Sequence, residues 1–204
     1  MSKLKLPHAS GNSMSIAAPA TNPASDLTLT LPTNIGAAGK VLAVNGSGNL
    51  DFIYPAGYGY FRAYATTGAS NQSLSHNTTH TVVLASETFD SQGWFNTTTY
   101  KYIPQVAGKY HIVSHLTFTA IGSETLQAIN FIQKNGGNVA ETLIGVNQNA
   151  YGYHTIVSSA IVSLNGSDDY IYTRAYYYDS GSNGAQLRST EDETFMYGYL
   201  LEAD

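Results

Sequence analysis

The second part of the chain, from Phe61 onward, consists of short stretches in which apolar and polar residues alternate, separated by Gly- and Asn-rich turns. The alternation is clearest over residues 109–119, where Tyr110, Ile112 and Leu116 fall on one face of an extended strand. No window has the apolar spacing of an amphipathic helix. Many short strands at this spacing predict an all-β fold, an antiparallel sandwich or jelly roll.

The predicted strands are bounded by turn signals. The strongest signals are Asn135–Asn138, Asn165–Asp168 and Asp179–Gly184, all rich in Gly and Asn. Gly198, inside the last strand, predicts a close approach by a neighbouring group. The strands cover residues 61–65, 80–90, 98–104, 109–119, 126–134, 139–146, 151–163, 169–178 and 194–202.

Residues 1–57 have a different composition and hold five of the six prolines. A short alternating run ends at Leu31, and Val41–Val44, a turn at 45–49 and Leu50–Ile53 predict a hairpin. These strands are too few and too short to build a core alone. We therefore predict an extended attachment arm over 1–57, ahead of a domain over 58–204. The arm would pack on its own copies, on that domain or on a docking partner through Leu27, Leu29, Leu31, Val41 and Val44.

Composition excludes several classes of function. Only 11% of the residues are charged, the net charge is −5, and nine basic residues are scattered along the chain, so we expect no nucleic-acid partner. There is no cysteine for a disulfide or a thiolate zinc site. No apolar stretch approaches the length of a membrane span. The first residues lack the apolar run of a signal peptide, so we expect no membrane partner and no export by that route.

Candidate chemical sites are few. His111 and His115 lie four residues apart, which on a strand is roughly 13 Å and too far for one metal ion; three copies of one histidine on a trimer axis remain an alternative. The run Glu191–Glu193 is expected to be a solvated loop, with a calcium site involving Asp168, Asp169 or Asp179 as the alternative.

No catalytic motif is present. The sequence has no Gly-x-Ser-x-Gly, no His-Glu-x-x-His and no complete phosphate-binding loop. Paired carboxylates for glycoside cleavage are not excluded by sequence. We expect a protein that is not an enzyme, with no catalytic residue, no metal site and no cofactor.

The stretch Phe95–Tyr110 resembles the signature of C1q-like domains, with Phe-Asn, Thr, Tyr, Pro and Gly-x-Tyr in that order. Four further pieces resemble the family in order along the chain, and the resemblance covers residues 61–202. It implies a C1q/TNF-like jelly roll that forms a homotrimer. The four pieces are Phe61–Tyr64, Gln133–Gly136, Leu164–Tyr170 and Thr194–Leu201.

The N-terminal part resembles a different group. Ala18–Pro32, followed by Gly39–Leu50, is similar to a segment common in bacteriophage structural and fibre proteins, cyanophages among them, where it commonly precedes a distal domain. Animal C1q proteins carry a secretory signal and often a collagen stem. The sequence shows neither pattern, which favours a viral protein located in the virion.

Sixteen tyrosines are too many for one small core. Tyrosine suits interfaces because it offers a large apolar body with one polar tip. We expect an interface or core of the trimer, or alternatively a glycan-binding surface. The tyrosines that share a strand face are Tyr170, Tyr172, Tyr176 and Tyr178 on one strand and Tyr197 and Tyr199 on the last.

Together these features predict a non-enzymatic virion structural protein of a bacteriophage. It would be a trimeric knob in a head fibre, tail fibre or decoration protein, anchored by its arm to a capsid or tail protein. The alternative is a receptor-binding tail-fibre tip for host attachment, which recognises a host-surface glycan or protein. Head and tail attachment are both open at this point.

Overall fold

The structure, a computed structural model, describes residues 3–7, 11, 13–17, 21, 29–44, 49–120, 126–146 and 152–204. The chain divides into two compact units, 1–37 with 42–52 and 38–41 with 53–204. All regular elements among the described residues are β-strands. No helix in these ranges is long and apolar enough to cross a membrane. The predicted boundary at residue 57 stays a prediction.

The N-terminal part contains two small sheets. Strand β1 (Lys3–Pro7) pairs antiparallel with β2 (Ser13–Ala17). The predicted hairpin is confirmed, since β3 (Val41–Val44) pairs with β4 (Leu50–Ile53). Around the predicted run that ends at Leu31, the described pairing is one bridge between Thr30 and Asn49. Leu27 lies outside the described residues.

The large unit contains two antiparallel sheets. The six-stranded first sheet has the order β13-β12-β15-β10-β9, with β7 also on β15. Its strands are β7 (Thr78–Thr81), β9 (Phe95–Asn96), β10 (Lys101–Tyr102), β12 (Leu126–Lys134), β13 (Gly137–Val146) and β15 (Ile171–Asp179).

The seven-stranded second sheet has the order β6-β16-β11-β17-β5-β8, with β14 also on β11. Its strands are β5 (Phe61–Tyr64), β6 (Gln72–Leu74), β8 (Ser86–Asp90), β11 (Ala107–Ala120), β14 (Tyr153–Asn165), β16 (Ala185–Leu187) and β17 (Thr194–Ala203).

The alternating residues form the core between these sheets. Tyr110, Ile112, Leu116 and Phe118 on β11 are all fully buried, as their shared strand face predicts. The all-β, antiparallel jelly-roll prediction is confirmed.

One polar residue ties the two sheets together inside the core. Asn130 of β12 donates to the carbonyl oxygens of Ser114 at 2.9 Å and Ile156 at 3.0 Å, both in the second sheet. Its side-chain oxygen accepts from Ser114 Oγ at 2.8 Å, and Ser158 Oγ donates to its carbonyl at 2.7 Å. Buried polar groups are tolerated when they are hydrogen-bonded in this way.

Two predicted strands differ from the structure. The predicted strand 80–90 is wrong as one element, because β7 pairs with β15 in the first sheet and β8 with β5 in the second. Val82 and Leu84 are buried where the chain crosses between the sheets. Apolar and polar residues therefore continue to alternate there, although residues 82–85 belong to no strand. The predicted strand 98–104 is reduced to β10, since residues 97–100 form a turn.

Candidate functional site

The two predicted tyrosine sets lie on different sheets. Tyr172, Tyr176 and Tyr178 project from β15 of the first sheet, and Tyr197 and Tyr199 project from β17 of the second. All alternate with buried residues, so both sets point outward. The outward faces of a two-layer sandwich point in opposite directions. The structure therefore does not bring these tyrosines together on one surface.

The outward surface of the second sheet, here called the β14–β11–β17 face, is built from cross-strand rows. In an antiparallel sheet, residues opposite each other lie within about 5.5 Å and pack side by side. The three rows are Ile161–His111–Tyr199, Ser159–Val113–Tyr197 and Val157–His115–Phe195.

This face exposes large apolar side chains. Ile161 is 68% exposed and Val157 47% exposed, although both lie in the middle of a thirteen-residue strand. Ile161 and Val157 lie four residues apart on β14, roughly 13 Å, with Ser159 between them, and each adjoins the histidine of its own row. Exposed apolar side chains set within such rows of rings are typical of an interaction surface. Sequence analysis did not find these two residues.

The two histidines on this face pack as rings. His115 stacks on Phe195 at a centroid distance of 4.5 Å and an angle of 9°, and His111 meets Tyr199 edge-on at 5.5 Å. Nε2 of His111 lies 3.0 Å from Ser159 Oγ. Across the described part of the chain, no group of three or more His, Asp or Glu side chains is placed to hold a metal ion.

Charges lie at the edges of this face and are paired. Lys109 bonds Glu202 at 2.7 Å, and Arg188 bonds Glu193 at 2.9 Å. A hydrogen bond from Thr190, aided by Arg188, holds the pKa of Glu193 below its usual value. A third cation, Arg62, lies 4.5 Å from the Phe195 ring centroid and is itself paired with Glu191 at 2.6 Å. The cations that border this face are therefore all ion-paired.

The acidic run is bound to cations. Arg62 bonds Glu191 at 2.6 Å and lies 3.7 Å from Asp192, next to the Arg188–Glu193 pair. The three other calcium candidates also have partners. Asp169 binds Lys134 at 2.8 Å, Asp168 accepts from Asn165 Nδ2 at 2.6 Å, and Asp179 lies 3.5 Å from His76. These carboxylates are bound by protein side chains, and in the described part of the chain they do not converge on one point where a cation could bind. The Glu191–Glu193 loop is ion-paired and also open to solvent, with the Asp192 side chain 95% exposed.

The outward surface of the first sheet, here called the β15 face, carries the other tyrosines in fixed positions. The Lys101 ammonium lies 3.7 Å from the ring centroid of Tyr170, whose ring is 5.8 Å from that of Tyr172. The Tyr176 hydroxyl donates to Asn77 at 2.8 Å. His76 packs on the Tyr178 ring at 4.7 Å. Each ring is thus held by a neighbour.

The predicted arm residues are exposed wherever the structure describes them. The described ones are Leu29, Leu31, Val41 and Val44, and sequence analysis missed Ile35, which is 95% exposed. Side chains of this kind favour burial against another surface, at about 25 cal/mol per Å² of apolar area. Their role in attachment stays a prediction.

The two curled antiparallel sheets define a C1q/TNF-like jelly roll. Murine APRIL at pH 5.0 has a similar structure, with 12% identity, a TM-score of 0.50 and coverage of 70% of this chain and 98% of that one. Eiger TNF from S. frugiperda is similar at 11% identity and a TM-score of 0.50, over 71% and 93% of the two chains.

A third similar structure is the globular domain of zebrafish complement 1qA protein, at 13% identity and a TM-score of 0.48, over 71% and 98% of the two chains. No protein-family model and no curated protein matches the chain. At these identities the likeness to the APRIL and Eiger structures shows the fold. It confirms the fold that the C1q resemblance implies, and the resemblance to phage proteins stays a prediction.

Proposed function

We propose that the protein is a non-enzymatic structural protein of a bacteriophage virion, in which the jelly roll forms a homotrimeric knob. The observation that carries this proposal is the exposed apolar β14–β11–β17 face. A face with an apolar centre and charges at its rim has the anatomy of a protein interface. Burying Ile161 and Val157 against a neighbouring copy would remove this apolar area from water.

The exposed Ile161 and Val157 favour this face for trimer contacts, and ring geometry separates it from the β15 face. A closed ring of three copies needs two patches inclined to each other on each copy. Patches on opposite sides of a sandwich would instead join copies into an open stack. One closed interface therefore does not use both tyrosine sets, and Tyr197 and Tyr199 lie on the face that exposes Ile161 and Val157.

The arm over residues 1–57 is proposed to anchor the knob to a capsid or tail protein. Exposed Leu29, Leu31 and Ile35 support this, as they lack a core of their own. The likeness of Ala18–Pro32 to phage fibre segments supports the virion setting.

Antibody labelling of purified particles tests this role. An antibody against residues 61–204 should label particles in electron micrographs. Label over the head would indicate a head fibre or decoration protein, and label at the tail a tail fibre. A chain lacking residues 1–52 should remain trimeric and fail to join particles. The deletion ends at 52 because the Gly57 amide donates to the Leu200 carbonyl within the jelly roll. Absence of label from intact particles would overturn the virion role.

The second candidate function is a receptor-binding fibre tip. The held tyrosines of the β15 face favour it, because rigid aromatic side chains dominate many recognition surfaces. Binding of the purified full chain to host cells, and competition by that chain with infection, would support this function. Unchanged infection in the presence of excess chain would count against it.

A further inference from the structure

The β15 face concentrates the unpaired positive charge of the jelly roll. Residues 58–204 contain six basic side chains, and all six are described. Four of them bond carboxylates, in the pairs Arg62–Glu191, Lys109–Glu202, Lys134–Asp169 and Arg188–Glu193. The remaining two, Lys101 and Arg174, have no ion-pair partner among the described residues, and both lie on the β15 face.

Arg174 lies between the tyrosines. It occupies the outward position between Tyr172 and Tyr176, about 7 Å from each along the strand. Its Nη2 donates to the Thr79 carbonyl at 2.9 Å, which fixes the side chain. Its Nε is buried and has no hydrogen-bond partner in the described structure. The charge of this guanidinium therefore has no carboxylate partner among the described residues, while its Nη2 is held by Thr79 and its Nε faces the protein.

A buried amide beside Tyr172 is also incompletely bonded. Gln133 is opposite Tyr172 in the sheet and is only 6% exposed. Its Nε2 donates to Asn138 at 2.6 Å, while its Oε1 has no hydrogen-bond partner in the described residues. Unpaired buried polar atoms are uncommon in folded proteins. This one lies next to the exposed rings and the free cations.

These groups together match the chemistry of an acidic sugar polymer. Tyrosine rings present apolar faces against which the C–H side of a sugar ring packs. Arginine and lysine make strong, charge-assisted hydrogen bonds to carboxylate or sulfate groups. The outward positions from Tyr172 to Tyr178 span about 20 Å, which suits an extended chain better than a small molecule.

The charge pattern also argues against other anions. Two free cations are far fewer than the six to ten phosphate contacts of a typical nucleic-acid site. The carboxylate of Glu141 lies on the same face, two strands from Arg174 and therefore about 10 Å away. The positive charge is thus confined to the strip along β15.

We propose that the β15 face binds an acidic polysaccharide, with Lys101 and Arg174 contacting its carboxylate or sulfate groups and the tyrosines packing on its rings. This gives a ligand class and a site to the receptor-binding function proposed above. It concerns the binding of the chain itself and does not depend on where the protein sits in a particle.

Titration calorimetry of the full chain tests the proposal with two matched probe pairs. The pairs are oligogalacturonate with its methyl ester, and dextran sulfate with dextran. The chain should bind at least one acidic probe and bind its neutral match at least tenfold more weakly, and added salt should weaken binding because it screens charge. Lys101→Gln and Arg174→Gln should each lower the affinity about 3- to 10-fold.

The control variant is Lys109→Gln, which makes the same charge change on the opposite sheet. Because Lys109 borders the proposed trimer face, light scattering checks its oligomeric state, and its affinity per chain for a short oligogalacturonate should be unchanged. Lys101→Gln keeps the test decisive if Arg174→Gln fails to fold, since Lys101 is only partly buried and its ammonium contacts the outward Tyr170 ring. Binding of neither acidic probe, or equal losses in Lys101→Gln and Lys109→Gln, would overturn the proposal. Failure of particle labelling would overturn the virion role alone.

Discussion

Replacing Gly198 by alanine tests how tightly β17 is packed in the core. A Cβ at this position would lie 2.6 Å from Ile112 Cδ1, 2.7 Å from the His111 carbonyl oxygen and 3.1 Å from Phe61 Cε1. The Ile112 methyl can rotate, but the His111 carbonyl belongs to the backbone of the paired strand β11. The methyl group can therefore fit only if the two strands shift. Overpacking of this kind costs about 1–3 kcal/mol, and a domain of this size loses about 2–4 °C in Tm per kcal/mol.

We expect Gly198→Ala to lower the Tm by about 2–12 °C in a thermal melt followed by circular dichroism. Gly145→Ala is the matched control, because this strand glycine is exposed and an added Cβ would meet nothing within 4 Å. The control should be neutral or slightly stabilising, since alanine has less conformational entropy to lose. Equal Tm values for the two variants would refute the assignment of Gly198 as a tight packing position.

Three further substitutions test the proposed trimer face, the buried hydrogen-bond network and one ion pair. Ile161→Asp should convert the trimer to a monomer in light scattering, while Leu143→Asp, an exposed residue on the other sheet, should not; a trimeric Ile161→Asp would exclude the proposed interface. Asn130→Ala should lower the free energy of unfolding by about 2–4 kcal/mol in urea melts, because it orphans buried carbonyls; a loss below about 1 kcal/mol would contradict the network. Lys134 holds the pKa of Asp169 below its usual value, so the stability from this pair is present above about pH 4 and lost as the pH falls through the folded-state pKa. Asp169→Asn should therefore be less stable at pH 7 and lose stability less steeply in acid; parallel curves for variant and wild type would contradict this.

Most of the fold could be predicted because the strand patterns and the turn signals in the sequence agree with each other. The twofold alternation defines most strands, and Asn135-Gly136 defines a hairpin because both residues take positive φ, 51° and 90°. The error at 80–90 has a physical reason. Val82 and Leu84 continue the alternation while the chain passes between sheets, and alternation reports burial rather than pairing. The three-residue strands β6 and β16 are too short to carry a pattern.

The candidate surfaces could be predicted only in part. Alternation correctly places Tyr172 and Tyr176 on one side of their strand, but strand order decides which sheet carries them, and that depends on distant pairings. A missed signal was present in β14. Ile156 and Val157, like Ile161 and Val162, are adjacent apolar residues that point to opposite faces. A strand that is apolar on both sides indicates that both sides are covered.

Charge is distributed differently over the two outward surfaces of the jelly roll. With only 11% charged residues, the chain has few charges to place, and the jelly roll pairs the cations around the β14–β11–β17 face while leaving Lys101 and Arg174 free on the other side. Association through the β14–β11–β17 face would leave the β15 face of every copy open to solvent. A trimer would then present three identical binding strips. Linked sites gain avidity well beyond the affinity of one site, so a weak contact per strip would suffice to hold a repetitive acidic polymer. The proposed trimer contact and the proposed polysaccharide site are thus compatible in one molecule because they would use opposite sheets.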